Sequence, residues 1–203
     1  MEGGFYISGY DYLGSLDSFN EGHFAVQDVS SMLVGVLAGV EEGDNVIDVC
    51  AAPGGKSLHM ADLLKGTGHV SARDLTEYKV DLINDNIERL GFLNISADVK
   101  DAAVKYDEDA NTADIVIADL PCSGLGVLGK KADLKYKTLE SDPEELSKIQ
   151  KSILNTERVC TMNSIAFDEE NGKHISTRIQ KFFKRYQLSD ILRRSNAYKI
   201  SLS

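Results

Sequence analysis

Four short β-like runs alternate with helical patterns, and this alternation is the feature that most restricts the fold. The runs are NVIDVC at 45–50, GHVSARD at 68–74, NISADVK at 94–100 and ADIVIAD at 113–119. Two successive parallel strands need a long crossover, which is usually a helix, so strands alternating with helices form parallel sheets. The sequence therefore predicts an α/β fold with a mostly parallel sheet and helices on both faces.

Helical segments are predicted at three places. In TEYKVDLINDNIERLG, an apolar residue recurs every three or four positions, and Gly91 is placed to end the helix. SDPEELSKIQKSIL begins with Ser141 or Asp142 as its N-cap and has Pro143 in its first turn. A last amphipathic helix, with an apolar stripe facing the core, is predicted over residues 173–187.

The loops after the predicted strands carry the candidate binding residues. CAAPGGK lies at the tip of the first strand, Asp74 ends the second, Asp101 follows the third and Asp119 ends the fourth. The carboxyl ends of parallel strands meet at one edge of the sheet, where ligands of open α/β folds bind. Glycines let the main chain approach a ligand closely, and a helix start presents amides to a carboxylate or phosphate.

The acidic strand ends favour a nucleoside ligand. Asp74 is placed to accept hydrogen bonds from a ribose diol, and Asp101 is placed to bind an adenine amino group. The sequence contains no GxxxxGK[ST] motif, so we expect an adenosine that carries a group other than phosphate. Gly124, Gly126 and Gly129 match GxGxxG, but they follow the fourth strand and do not open an apolar helix, which argues against dinucleotide binding.

Composition restricts the compartment and the partners. The chain has 203 residues, 42% of them hydrophobic, and a formal net charge of −10. No apolar run is long enough to span a bilayer, no secretory signal is present and three cysteines give no disulfide framework, so we expect a cytoplasmic protein with no membrane partner and no metal. Any nucleic-acid contact must use a local basic stretch, such as residues 129–137 or 173–199, or a surface supplied elsewhere.

Four motifs, in this order, resemble one known family. They are FAVQDVSSMLV, VIDVCAAPGGKSLHMA, NDNIERLG and ADLPCSGLGVLGKKADLKY. Together they are similar to the RsmB/Nop2/Sun family of RNA cytosine-5 methyltransferases, particularly its bacterial 16S rRNA members, over residues 19–154. The resemblance implies a Rossmann-like, S-adenosylmethionine-dependent methyltransferase fold and an RNA partner, most simply rRNA.

The resemblance also implies site residues. Those that would contact S-adenosylmethionine are Cys50, Ala51, Ala52, Pro53, Gly54, Gly55, Lys56, Asp74, Asp101 and Asp119. Those that would serve catalysis are Cys122, Cys160, Asp119 and Lys56. The family uses a cysteine nucleophile in a TC motif after a fifth strand, and a second cysteine, in a PC motif, that assists product release. Cys122 matches the second role, and Asp119 is placed to hydrogen-bond the cytosine edge.

The C-terminal part departs from the family pattern. A glycine pair and an apolar strand normally precede the nucleophile, but the sequence here reads NTERVCTMNSIAFDEEN. Cys160 is therefore either the nucleophile or a thiol with no role. We expect residues 1–26 to form a lead-in arm and residues 27–203 a methyltransferase domain that is atypical from about residue 155.

Two functions follow from these observations. The first is methylation of C5 of cytosine in RNA through a covalent cysteine–C6 adduct, and the second is a truncated, inactive domain that only binds S-adenosylmethionine. Because the strand before Cys160 is missing, we expect slow or absent methyl transfer with cofactor binding retained. A small-molecule or protein methyltransferase is disfavoured, since PCSGLG has no use there.

Overall fold

The computed structural model describes residues 4–121 and 142–157. The helices are α1 (Asp17–Asn20), α2 (Val29–Ala38), α3 (Gly55–Leu63), α4 (Glu77–Leu90) and α5 (Asp142–Glu157). The strands are β1 (Asn45–Asp48), β2 (His69–Asp74), β3 (Ile95–Val99) and β4 (Ile115–Ile117). Single 3₁₀ turns occur at Leu13–Ser15 and Asp107–Asp109.

The four strands form one parallel sheet in the order β3-β2-β1-β4. Val46 of β1 pairs with Val70 of β2 on one side and with Ile115 of β4 on the other. The chain moves outward from β1 to β3 and then returns to place β4 against the free side of β1. The strand order therefore reverses between β1 and β4, and a reversal of this kind opens a crevice at the carboxyl ends of the strands.

Both faces of the sheet are covered by helices, as predicted. Val46 faces a buried cluster that includes Leu58 and Met60 of α3 and Ile83 of α4. The next residue along β1, Ile47, belongs to a second cluster that Ile153 of α5 completes. Successive side chains of a strand point to opposite faces, so a run of apolar residues in β1 requires helices on both sides.

The predicted helices and strands are confirmed within the described residues, with shorter strands. α4 ends where expected, because Gly91 adopts φ +70° and its N–H donates to Ile87 and Glu88. α5 begins at Asp142, whereas Ser141 and the predicted helix at 173–187 lie outside the described residues. Within the described ranges, no helix has both the length and the apolar character needed to cross a membrane.

Part of the predicted lead-in arm packs on the C-terminal end of α4. Arg89 Nη1 donates to the carbonyl oxygens of Phe19 at 2.8 Å and Phe24 at 3.2 Å, and its guanidinium lies 4.0 Å from the centre of the Phe19 ring. Gly22 has φ +76°, and a Cβ there would lie 1.8 Å from the carbonyl oxygen of Arg89. Only glycine fits this contact, which therefore fixes the segment against α4.

Candidate functional site

A cavity of about 350 Å³ opens at the carboxyl ends of all four strands. Its wall includes predicted site residues from each strand end, and the full set is Val49, Cys50, Ala52, Asp74, Leu75, Lys79, Lys100, Asp101, Ala102, Ala103, Asp119, Pro121, Ile149 and Ile153. A volume of this size lies within the range of small-molecule sites. The structure therefore brings together the acidic strand ends that the sequence placed at one edge.

The loop after β1 supplies part of this wall, and its remaining residues form the turn that leads into α3. Cys50 and Ala52 line the cavity, whereas Ala51, Pro53 and Gly54 form the turn into α3. The Gly54 N–H donates to the Ala51 carbonyl oxygen at 2.7 Å, and Gly54 adopts φ +102°, a conformation that side chains rarely allow.

The start of α3 follows directly at Gly55, and a side chain from before α2 lies against it. A Cβ built on Gly55 would lie 3.8 Å from Nε2 of Gln27. That amide nitrogen is buried and has no hydrogen-bond partner among the described residues. Gln27 belongs to a stretch that resembles the family, but no pattern in the sequence placed its amide at the start of α3.

Asp74, at the end of β2, connects this strand to the loop after β1. Its Oδ2 accepts a hydrogen bond from the Ala52 N–H at 3.1 Å. Its Oδ1 accepts from the Leu75 N–H at 2.8 Å and from Lys79 Nζ at 2.9 Å. The Asp74 side chain is only 5% exposed, whereas that of Lys79 is 51% exposed. A carboxylate has about four acceptor positions, so Asp74 can accept a further hydrogen bond from a ligand.

Asp101, after β3, stands at the open side of the cavity. Its Oδ1 accepts from the Ala103 N–H at 2.9 Å, and its own N–H donates to Tyr106 Oη at 3.3 Å. The residue is exposed. A carboxylate held by its own loop and open to solvent can accept a hydrogen bond from an amino group. Binding of the adenine amino group is the role that the sequence predicts for Asp101.

Lys56 and Asp119 form an ion pair across the crevice. The distance from Lys56 Nζ to Asp119 Oδ2 is 2.6 Å, and the two side chains are 22% and 58% exposed. Lys56 belongs to the first turn of α3 and Asp119 follows β4, so the pair spans the point where the strand order reverses. This contact brings together the two predicted catalytic residues that the structure describes.

These positions fit the sequence comparisons. The profile of the 16S rRNA methyltransferase RsmB/F family matches residues 35–164. The chain belongs to this family. The match covers the four strand ends just described and confirms the resemblance carried by the sequence motifs.

Individual relatives agree with this assignment. The chain is 42% identical to a probable ribosomal RNA small subunit methyltransferase B of Bacillus subtilis, over 67% of this chain and 31% of the relative. It is 32% identical to a 28S rRNA (cytosine(4447)-C(5))-methyltransferase of Homo sapiens, over 70% of this chain and 17% of the relative. The chain thus spans a third or less of the length of these relatives.

A solved structure supports the fold. NSun6 from Pyrococcus horikoshii, solved with SFG, superimposes with a TM-score of 0.64 at 24% sequence identity. The superposition covers 89% of this chain and 46% of that one. Together with the parallel sheet, it confirms the Rossmann-like methyltransferase fold expected of a family member.

Cys50 of this family member is not suited to nucleophilic chemistry. Burial, followed by the nearby charges of Asp74 and Asp48, raises the pKa of the Cys50 thiol to about 12. A thiol attacks as its thiolate, and this thiol stays protonated at neutral pH. Cys50 is therefore a small apolar part of the cavity wall, and its predicted contact with the cofactor stays a prediction.

Sequence reasoning missed Asp48, the last residue of β1. It is fully buried, and its Oδ2 accepts a hydrogen bond from Ser57 Oγ at 2.6 Å. Burial raises the pKa of Asp48 to about 6. The signal for Asp48 in the sequence is an acidic residue inside the apolar run NVIDV. A buried carboxylate without a partner destabilises a core, so such a residue is expected to have a specific hydrogen-bond partner.

Sequence reasoning also missed the contribution of α5 to the cavity. Ile149 and Ile153 line the wall, and Ile153 is only 5% exposed. Gln150 Nε2 donates to the carbonyl oxygen of Pro121 at 2.8 Å and so fixes α5 beside the loop after β4. The helix itself was predictable, but its position over this edge depends on tertiary packing.

The two predicted catalytic cysteines, Cys122 and Cys160, lie outside the described residues, as do the basic residues within 129–137. Their predicted roles remain predictions. In the described part of the chain, no three or more His, Cys, Asp or Glu side chains are grouped so that they could hold a metal ion.

Proposed function

We propose that this chain is the catalytic part of an S-adenosylmethionine-dependent methyltransferase that acts on C5 of cytosine in rRNA. The observation that carries the proposal is the ion pair between Lys56 and Asp119 at the cavity that Asp74 and Asp101 also line. Membership of the RsmB/F family supports a ribosomal RNA substrate, and the name of the human relative supports C5 of cytosine.

The residues present fit S-adenosylmethionine. Asp74 offers a buried acceptor for the ribose hydroxyls, and Asp101 offers an exposed acceptor for the adenine amino group. Cys50, Ala52 and Ile153 give the cavity an apolar lining suited to the purine ring. The unpartnered amide of Gln27 beside the start of α3 leaves a donor for the carboxylate of the amino-acid part.

The reaction needs activation of the base, because C5 of cytosine is a poor nucleophile. When bound, S-adenosylmethionine supplies a methyl group on a positively charged sulfur. Addition of a cysteine thiolate to C6 makes C5 resemble an enamine carbon, which can then accept that methyl group. A base next removes the C5 proton, and the C6–sulfur bond breaks to release the thiolate. We propose Cys160 as the attacking residue and Cys122 as the residue that assists release.

Asp119 and Lys56 orient the base in this scheme. Lys56 Nζ binds Oδ2 of Asp119, and because this side chain is 58% exposed, we propose that its second oxygen accepts a hydrogen bond from the cytosine amino group. Holding one oxygen by an ammonium group restricts the rotation of the carboxylate. The pair thus fixes the cytosine edge relative to the cavity that receives the methyl donor.

RNA affinity must depend on more than the described surface. The chain carries a net charge of −10, which opposes contact with phosphates. The relatives are at least three times as long as the matched region, so the remaining length has room for RNA-binding surface. We expect this chain alone to bind RNA weakly, with affinity that falls steeply as salt is raised.

The test is transfer of tritiated methyl from S-adenosylmethionine to bacterial rRNA, with mapping of the modified base and parallel calorimetry with S-adenosylhomocysteine. Label at C5 of a cytosine, together with S-adenosylhomocysteine binding, supports the proposal. Binding without label supports the alternative function, a domain that only binds the cofactor. Absence of both binding and label overturns both functions.

A further inference from the structure

Two cations stand directly before the two acidic residues proposed to hold the nucleoside. Arg73 precedes Asp74, and Lys100 precedes Asp101. Both cations bind the same carboxylate, that of Asp109. Arg73 Nη1 and Nη2 donate to its two oxygens at 2.6 and 2.8 Å, and Lys100 Nζ lies 3.2 and 3.4 Å from the same oxygens.

Arg73 and Asp109 of this cluster are buried, whereas Lys100 is partly exposed at the cavity wall. The side chains of Arg73 and Asp109 are 9% and 8% exposed. Burial would raise the pKa of Asp109, but the hydrogen bonds and charges of Arg73 and Lys100 outweigh it and lower that pKa below its ordinary value. A planar guanidinium that binds both oxygens of a carboxylate fixes the direction of the pair as well as its distance. Asp109 is therefore a rigid anchor for the end of β2.

The same anchor extends to the loop after β3. Lys100 Nζ lies 4.5 Å from the centre of the Tyr106 ring, and Tyr106 Oη accepts a hydrogen bond from the Asp101 N–H at 3.3 Å. The Asp109 N–H in turn donates to the Tyr106 carbonyl oxygen at 3.2 Å. Movement of Asp109 would therefore move both the side chain before Asp101 and the ring that holds its main chain.

We propose that Asp109 is a positioning residue for the nucleoside half of the cofactor, because it fixes the two strand ends that carry Asp74 and Asp101. This inference rests on the proposed function. Asp109 lies behind the wall formed by Lys100 and Asp101, and it acts through these neighbours without touching the ligand. Lys56 and Asp119 lie on other elements, α3 and the end of β4, so Asp109 does not hold this pair.

The test compares Asp109→Asn with Asn94→Ala, which also removes a buried hydrogen bond but lies just before the start of β3, at the other end of that strand from Lys100 and Asp101. Asn94 is buried, and its Nδ2 donates to the Ala61 carbonyl oxygen at 2.9 Å, so its loss removes a buried hydrogen bond far from the cavity. Thermal unfolding of both variants is measured beside calorimetry with S-adenosylhomocysteine and with adenosine. We expect both variants to be less stable, but only Asp109→Asn to bind about tenfold more weakly.

The two ligands separate positioning from general damage. We expect the same fold-loss for adenosine as for S-adenosylhomocysteine in Asp109→Asn, since only the nucleoside contacts are displaced. Unchanged affinity in Asp109→Asn, or an equal loss in Asn94→Ala, would overturn the inference. If the unaltered chain binds neither ligand, the proposed function fails instead.

If Asp109→Asn does not fold, the milder variant Arg73→Lys tests the same inference. Arg73→Lys keeps the positive charge, but its ammonium group cannot bind both oxygens of Asp109 as the guanidinium does. We expect it to remain folded and to bind adenosine and S-adenosylhomocysteine more weakly by an equal factor, smaller than in Asp109→Asn. Parent-like affinity for both ligands in Arg73→Lys would contradict the positioning role.

Discussion

Lys56 Nζ lies 2.6 Å from Asp119 Oδ2, although the two residues are separated by 63 positions in the sequence. The contact joins the start of α3 to the end of β4 across the crevice between β1 and β4. Both residues were expected at this edge from sequence, but the direct contact was not. It provides a fixed, partly exposed polar pair beside the proposed cofactor cavity.

The first prediction concerns this pair. Lys56→Met leaves Asp119 without its ammonium partner, and we expect the methyl transfer of this chain, already expected to be slow, to fall by a further factor of about 10² because the cytosine edge is no longer held. The Asp119 side chain is 58% exposed, so we expect the free energy of unfolding to change by less than about 1 kcal/mol. Methyl transfer to rRNA and urea unfolding measure the two effects.

Lys65→Met is the matched control, because Lys65 forms an exposed ion pair with Glu42 at 2.9 Å, away from the cavity. This variant should retain the parent rate of transfer. An equal loss of transfer in both variants would show that the effect comes from changing surface charge in general and would contradict the role of Lys56.

The second prediction concerns Asp74. Asp74→Ala removes a buried acceptor that we expect to face the ribose hydroxyls, and hydrogen bonds to a charged group contribute about 1.5–3 kcal/mol. We therefore expect S-adenosylhomocysteine to bind about 10- to 100-fold more weakly by calorimetry. Asp98→Ala, which changes an exposed carboxylate on β3, should bind normally. If Asp74→Ala binds S-adenosylhomocysteine as tightly as the parent does, Asp74 does not contact the ligand.

The third prediction is a pH dependence of stability caused by Asp48. The pKa of Asp48 in the folded protein is raised to about 6 from an ordinary 3.8, so the folded state binds this proton more tightly than the unfolded state. The free energy of unfolding should therefore fall as pH rises from about 4 to about 6 and then level off. The total contribution is roughly 3 kcal/mol.

Asp48→Asn tests this dependence, because the asparagine oxygen can still accept from Ser57 Oγ but carries no charge. Urea unfolding at pH 4, 5 and 7 should show that the variant gains stability relative to the parent as pH rises. Asp114→Asn, which changes a partly exposed carboxylate that accepts from the Asn45 N–H, is the control. A constant difference between parent and Asp48→Asn across this range would contradict the prediction.

The fourth prediction concerns the thiol of Cys50. With its pKa raised to about 12, about one molecule in 10⁴ carries the thiolate at pH 8. We expect no detectable alkylation of Cys50 by iodoacetamide over an hour in a Cys122→Ser, Cys160→Ser variant, and full alkylation after unfolding in urea. Peptide mass spectrometry reads the modified position. Rapid alkylation of the folded variant would show that Cys50 is a reactive thiol.

Much of this fold could be predicted because its signals are local. β1 and β4 are compact, mostly apolar runs, and Asp74, Asp101 and Asp119 lie at or just after the ends of β2, β3 and β4, so their common edge follows from parallel pairing alone. Gly91 ends α4 because of its own conformational freedom. These features need no knowledge of distant partners.

The remaining features depend on contacts between distant parts of the sequence. Asp109 binds Arg73 across 36 positions, and nothing local distinguishes it from the neighbouring Asp107 and Glu108. Ile153 reads as an ordinary apolar position of an amphipathic helix until the packing of α5 places it in the cavity wall. Tertiary packing decides which distant residues such positions contact, and the periodicity of the sequence carries no information about these contacts.

The last prediction tests the covalent mechanism through the two cysteines outside the described residues. If Cys160 attacks C6 and Cys122 serves release, Cys122→Ala should allow attack and methyl transfer but leave the protein bonded to RNA. Because a trapped adduct accumulates over single turnovers, it is visible even if turnover is slow. We expect a band of retarded mobility on a denaturing gel when Cys122→Ala is incubated with rRNA and S-adenosylmethionine.

A second substitution assigns the nucleophile. Adding Cys160→Ala to Cys122→Ala should remove the band, because no thiolate is then placed to attack, whereas adding Cys50→Ala should leave it, since the Cys50 thiol stays protonated. A band that survives in the variant without Cys122 and Cys160 would show that another residue attacks. If Cys122→Ala forms no band while its affinity for S-adenosylhomocysteine is unchanged, the covalent route does not operate in this chain, and the cofactor-binding function remains.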